Sequence, residues 1–212
     1  MQIDGGYDLT AQNYTAQVKA ATFPIAEILP GDEFGMLSAD LRCNGSRFDL
    51  YTPQTSANID LNVSRFDFRN VPYRIALQGN YTRQQLNARI ASEMEALNCR
   101  MGITATIAKE RYSGQIDSHI AHADLHALRL LSDSLTMSGE VSLNADFGTD
   151  EIRFRTNDEI RNLTVNYNGT FLQSKQIAIN ATGDRDSTRL SYRDGDFSLL
   201  VRSADSPDTL LH

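Results

Sequence analysis

Leu135-Thr-Met-Ser-Gly-Glu-Val-Ser-Leu-Asn-Ala-Asp-Phe147 alternates without a miss. Leu135, Met137, Gly139, Val141, Leu143, Ala145 and Phe147 take the odd positions, and Thr136, Ser138, Glu140, Ser142, Asn144 and Asp146 the even ones. Successive side chains on a strand point to opposite faces, so this stretch has one apolar face and one wet face. At about 3.3 Å per residue it spans roughly 40 Å, about twice the length of an ordinary strand. A strand of that length must hide its greasy face on something. What hides it is the functional question.

The same period runs outward in both directions. Toward the C-terminus come Ile152 and Phe154, then Leu163, Val165, Tyr167, Gly169 and Phe171, then Ile177, Ile179 and Ala181, and last Phe197, Leu199 and Val201. Toward the N-terminus lie Tyr112, Gly114, Ile116, Ser118 and Ile120, preceded by Leu97, Cys99, Met101, Ile103, Ala105 and Ile107. Further back are Val71 to Gly79, Ala57 to Val63 (with Ile59 and Leu61), Phe48 and Leu50, and Leu37 to Cys43 with Gly45 in a turn. The chain opens with Ile3 to Leu9 and Tyr14 to Ala20.

Two stretches test the pattern. Phe23-Pro-Ile-Ala-Glu-Ile-Leu-Pro30 breaks it, and Pro24 suits a first helical turn that Pro30 ends, so one short helix is expected there. Thr82 to Cys99 fits helical spacing through Leu86, Ile90, Met94 and Leu97, and it fits a strand through Leu86, Ala88 and Ile90. A helix ending near Cys99 would use up half of the alternation that follows, so the reading is a strand with a turn near Glu93 to Glu95. Short polar turns between runs imply adjacent antiparallel hairpins. The expected fold is all-β: an elongated, curled antiparallel sheet with at most one or two short helices. Residues 1–212 form a single continuous segment without an internal boundary.

Composition narrows the function. The net charge of −7 argues against nucleic acid or an anionic membrane surface as partner, since both need clustered Lys and Arg. No apolar run approaches the 18 residues of a membrane-spanning helix. Met1 is followed by polar Gln2-Ile3-Asp4-Gly5, unlike a signal peptide, so an exported protein of this kind would be a piece of a longer chain. Cys43 and Cys99 lack metal spacing and fall on apolar parities, which favours small buried residues over a disulfide. His119, His122 and His126 with Asp117 and Asp124 suggest a metal cluster, but on a strand His119 and His122 point to opposite faces. Asp184, Asp186, Asp194 and Asp196 lack calcium-loop spacing and read as turn residues. Neither a nucleophile elbow, a phosphate loop nor a dinucleotide fingerprint occurs. No catalytic residue, metal or cofactor is therefore expected.

A single sheet that curls leaves a trough lined by its apolar parity. The candidate lining residues are Ile59, Leu61, Val63, Ile75 and Leu77, then Leu97, Met101, Ile103, Ile107 and Ile116, then Met137, Val141, Leu143, Leu163 and Val165. Thr104 and Ser142 should face solvent on the other side. Such a trough either packs on itself or holds acyl chains.

The run Ala123-Asp-Leu-His-Ala-Leu-Arg-Leu-Leu-Ser-Asp-Ser-Leu135, leading into a long alternating strand, resembles the TamB branch of the AsmA-like envelope proteins in a Bacteroidetes-like version. Phe23-Pro24-Ile25 with Ile28-Leu29-Pro30, then Leu37-Ser-Ala-Asp-Leu41 and Gly45, is similar to the helix-to-strand passage of that family. The resemblance covers residues 1–200 in cadence rather than in any invariant residue. It implies an internal segment of a long protein anchored at the inner membrane, crossing the periplasm of a Gram-negative cell. The concave side would be a groove carrying phospholipid acyl chains toward the outer membrane. An outer-membrane barrel of the assembly family would be a partner, contacted through a part of the parent outside this chain. Two other classes compete: a scaffold for outer-membrane protein assembly with a self-packed groove, and a secreted polysaccharide-binding β-protein. Low aromatic content and the lack of Trp weigh against the last.

Overall fold

The computed structural model describes residues 1–28, 31–148, 153–184 and 186–204. The chain is a meander of strands: β1 (Gln2–Asp8), β2 (Asn13–Pro24), β3 (Phe34–Ser46), β4 (Ser56–Phe68), β5 (Val71–Thr82), β6 (Gln85–Glu93), β7 (Leu97–Ile107), β8 (Arg111–Asp124), β9 (Leu135–Gly148), β10 (Arg153–Tyr167), β11 (Thr170–Gly183), β12 (Thr188–Asp194) and β13 (Phe197–Ser203). Each pairs antiparallel with its sequence neighbours in one 13-stranded sheet that does not close into a barrel. Gln85–Glu93 is a strand, as expected. The short helix is one 3-10 turn, Ile25–Glu27, following Pro24. Leu29, Pro30 and Ile152 lie outside the described residues.

Turn chemistry sets the tight hairpins. Arg69-Asn70, Arg83-Gln84 and Asn168-Gly169 each place two successive residues at positive φ between paired strand ends. That is the twist-matched two-residue loop of antiparallel neighbours. Gly45 corrects an expectation: it is a residue of β3, not of a turn. A Cβ there would sit 2.2 Å from the Ser56 carbonyl and 2.5 Å from the Tyr14 hydroxyl. Glycine is required because the Ser56 backbone carbonyl of β4 comes closest, and the Tyr14 ring also crosses the strand there to donate its hydroxyl to that carbonyl at 3.4 Å.

Five bulges bend the sheet. β2 gains a residue between Ala20 and Phe23, β3 between Phe34 and Leu37, β4 between Val63 and Phe66, β8 between Ile120 and Ala123, and β10 between Arg161 and Thr164. Ala20 pairs with Ala39 and Ala39 with Val63, while Cys99 pairs with Ile120 and Ile120 with Gly139. The bulges of β2, β4, β8 and β10 therefore fall along one line across the strands, and that of β3 lies nearer the rim. A bulge bends its strand and sharpens its twist, and a line of them makes a crease.

The sheet has no second layer. Its accessible surface is 14110 Å², against roughly 9,800 Å² for a compact monomer of 23.6 kDa. The only buried apolar cluster is Val71, Met94 and Leu128, among the described residues.

Candidate functional site

Cross-strand partners share a face, so the register assigns every side chain to a side. Val18, Leu41, Leu61, Leu77, Ile90 and Met101 are successive partners across β2 to β7. The adjoining row runs Cys43, Ile59, Gly79, Ala88, Ile103, Ile116 and Leu143 across β3 to β9. Toward one rim the row is Leu97, Ala123, Met137 and Val165, and toward the other Ile107, Tyr112 and Phe147. All fifteen candidate residues lie on this face. Ile59 and Leu143 are exposed, each at 39%, and the rest are half-buried. None is fully buried, which is what a face without a covering layer produces. Every strand aromatic also lies here except Phe171, whose partner Asn166 belongs to the polar side.

The face changes character beyond β9. Asp158 pairs with Leu143 on one side and Ile179 on the other, bringing a carboxylate into the apolar surface. Its Oδ1 accepts the Asn144 backbone N–H at 3.3 Å. Asp194, opposite Ile177, accepts the Ser174 hydroxyl at 2.6 Å.

Two loops from opposite rims fold over the apolar face, and alternation alone does not reveal them. Residues 124–134, between β8 and β9, begin with Asp124 Oδ1 accepting the backbone N–H groups of His126 and Ala127. The turn carries Leu128, 1% exposed, onto Val71 and Met94, with Tyr73, Ala96, Leu97 and Leu125 around it. Tyr73 donates to the Leu128 carbonyl at 2.8 Å, and Arg69 and Arg129 each donate to the other's carbonyl. The Ala123–Leu135 run is thus the segment that walls one rim.

Residues 47–55, between β3 and β4, cross from the other rim. Phe48 stacks on Tyr14 and Tyr7, with centroids 4.8 and 5.8 Å apart. Tyr81 donates to the Leu50 carbonyl and Gln84 to that of Tyr51. The Tyr51 and Tyr112 hydroxyls meet at 3.0 Å. The loop therefore reaches from β1 to β8 and leaves Tyr81 only 5% exposed. Phe48 and Leu50 correct an expectation: their spacing continues the strand period, yet they lie in this loop, where the Phe48 ring and the Leu50 carbonyl meet Tyr14 and Tyr81.

The opposite face is polar. Asn44, Asn58, Asn80, Asn87, Thr104, Gln115, Asn144 and Asn157 are consecutive partners in one row. Asn58 donates to Asn44 at 3.0 Å and Asn144 to the Asn157 carbonyl at 3.2 Å, so part of the row bonds to itself. Thr104 and Ser142 lie on this side, as expected. Shallow depressions of about 500 Å³ (around Asn87, Thr104 and Gln115) and about 480 Å³ (around Arg89, Asp117 and His119) mark it.

The histidines need a correction. His119 pairs with Arg100 and His122 with Asn98, so both lie on the polar face. The bulge between Ile120 and Ala123 shifts the parity and overturns the expected opposition. Even so, His119 is 3.9 Å from Glu140, while His126 Nδ1 meets the Ser132 carbonyl at 2.9 Å. No three His, Cys, Asp or Glu side chains gather as a metal site among the described residues. Cys43 and Cys99 are free thiols on β3 and β7, and burial pushes the Cys99 thiol up from its ordinary pKa. Asp184 accepts the Asp186 N–H and the Ser187 hydroxyl, a turn-forming role.

No family model, curated protein or solved structure matches this chain. Among the described residues, no helix is long and apolar enough to cross a membrane.

Proposed function

We propose that this chain is a non-enzymatic, lipid-conducting groove segment of a long TamB-like envelope protein. The parent would be anchored at the inner membrane and cross the periplasm of a Gram-negative bacterium. The observation that supports this reading is the apolar row running partner to partner from Ala16 on β2 to Leu143 on β9 with no second sheet over it. Each methylene transferred from water to such a surface gains about 0.8 kcal/mol, so an acyl chain binds without polar recognition. Phospholipid headgroups would stay at the open side. The outer-membrane barrel partner belongs to the same proposal and would engage another part of the parent.

A second reading has its own observation. The Leu128 cluster and the 47–55 loop cover part of the same face, as they would in a scaffold with a self-packed groove. Mass spectrometry of organic extracts separates the two. Protein purified from a Gram-negative host without detergent is expected to carry diacyl phospholipid in near-stoichiometric amount. A lipid-free extract from the folded protein favours the scaffold.

A further inference from the structure

We propose that residues 47–55 form a movable strap across the trough, which lifts to admit an acyl chain while the 124–134 loop stays in place. The inference deepens the acyl-chain reading and rests on it. The two loops are held by different physics. Leu128 is 1% exposed in a cluster of apolar side chains, and lifting it would return that surface to water. The strap leaves its own large side chains outside, with Phe48 69%, Leu50 47% and Tyr51 45% exposed, and the ring it covers is that of Tyr81. Its hold on the sheet consists of the stacking of Phe48 on Tyr7 and Tyr14 and hydrogen bonds with Tyr81, Gln84 and Tyr112. Each of those bonds is exchanged for one to water when the strap lifts, so the net opposition comes from the stacked Phe48 ring and the covered Tyr81 ring.

The strap is also built to move as one piece. Inside it, the Tyr51 N–H bonds Asp49 Oδ1 at 2.9 Å, and the Thr52 N–H bonds the Asp49 carbonyl at 3.2 Å. Its base is tied down, with the Arg47 N–H on the Gln12 carbonyl at 2.8 Å and the Ser46 hydroxyl on the Gln54 carbonyl at 3.1 Å. A rigid turn on a fixed base pivots there. Between its anchor points at Tyr81 and Tyr112, the floor of the trough is Leu86 and Ala105. Closed, the strap bars that floor from the rim.

Two readouts test this in the full chain with Cys43→Ala and Cys99→Ala. Ala105→Cys places a thiol beneath the strap, and Ala181→Cys, in a separate protein, places one on the same face beyond it. Phe48→Ala with Tyr51→Phe loosens the strap through two exposed loop positions. Maleimide alkylation at position 105 is expected to rise at least five-fold on loosening, with position 181 unchanged. Uptake of a chain-labelled phospholipid from phosphatidylethanolamine–phosphatidylglycerol vesicles should quicken in parallel. Unchanged alkylation at 105, or an equal rise at both positions, overturns the strap whatever the uptake. Selective alkylation with no uptake by any of the proteins upholds the strap and removes the acyl-chain reading.

Discussion

The Ile103→Asp, Leu143→Asp double variant is expected to lose at least nine-tenths of its bound phospholipid while keeping its β circular dichroism. Ile103 and Leu143 flank Ile116 in one row of the apolar face. A carboxylate facing an acyl chain without a partner costs several kcal/mol, and two of them outweigh the gain from a few buried methylenes. The fold should survive because backbone pairing is untouched and Leu143 is already 39% exposed, so its new carboxylate reaches water once the lipid leaves. Thr104→Asp, one residue from Ile103 on the opposite face, should leave both lipid and fold unchanged. Unfolding of the double variant would instead mark a self-packed core. Undiminished lipid in a folded double variant would exclude conduction along this row.

Leu128→Ala is expected to loosen the 124–134 wall by about 2–5 kcal/mol, the cost of removing a fully buried leucine side chain and leaving its cavity. The Leu128 N–H bonds the Asp124 carbonyl and the Leu130 N–H the Leu125 carbonyl, so their hydrogen exchange reports local opening. Protection at both should fall by at least ~30-fold, since each 1.4 kcal/mol is a factor of ten. Amides of β2 and β3, far along the sheet, should hold their rates. Unchanged protection would mean that the loop is held by the hydrogen bonds of Tyr73, Arg69 and Arg129 rather than by the Leu128 side chain.

Strand positions were legible because the solvent writes a period of two on any sheet with one wet face. The alternation at Leu97 to Ile107 was enough to make Gln85–Glu93 a strand against its helical spacing. The bulges leave a local trace too. Ala20 to Phe23, Val63 to Phe66, Ile120 to Ala123 and Ile160 to Leu163 are apolar steps of three where the pattern otherwise steps by two. Ignoring such a step put His119 and His122 on opposite faces, whereas counting the extra residue puts them together. Gly45 reads as a turn residue because its reason lies off its own strand, in the Ser56 carbonyl of β4 and the Tyr14 ring of β2. The two covering loops were illegible for the same reason. Phe48 and Leu50 keep the strand period although they lie in a loop, and neither they nor Leu125 and Leu128 name the surface they land on, which only the register and the crease decide.

The central claim is that acyl chains lie on the apolar face, and a diacyl phospholipid with a diazirine near its chain end tests it most directly. After loading and irradiation, peptide mapping is expected to place the adducts on Leu61, Leu77, Met101, Ile103, Val141 and their partners on that face. Adducts confined to the polar face, at Asn87, Thr104, Gln115 or Ser142, or no adducts from a folded, lipid-exposed protein, would contradict the account.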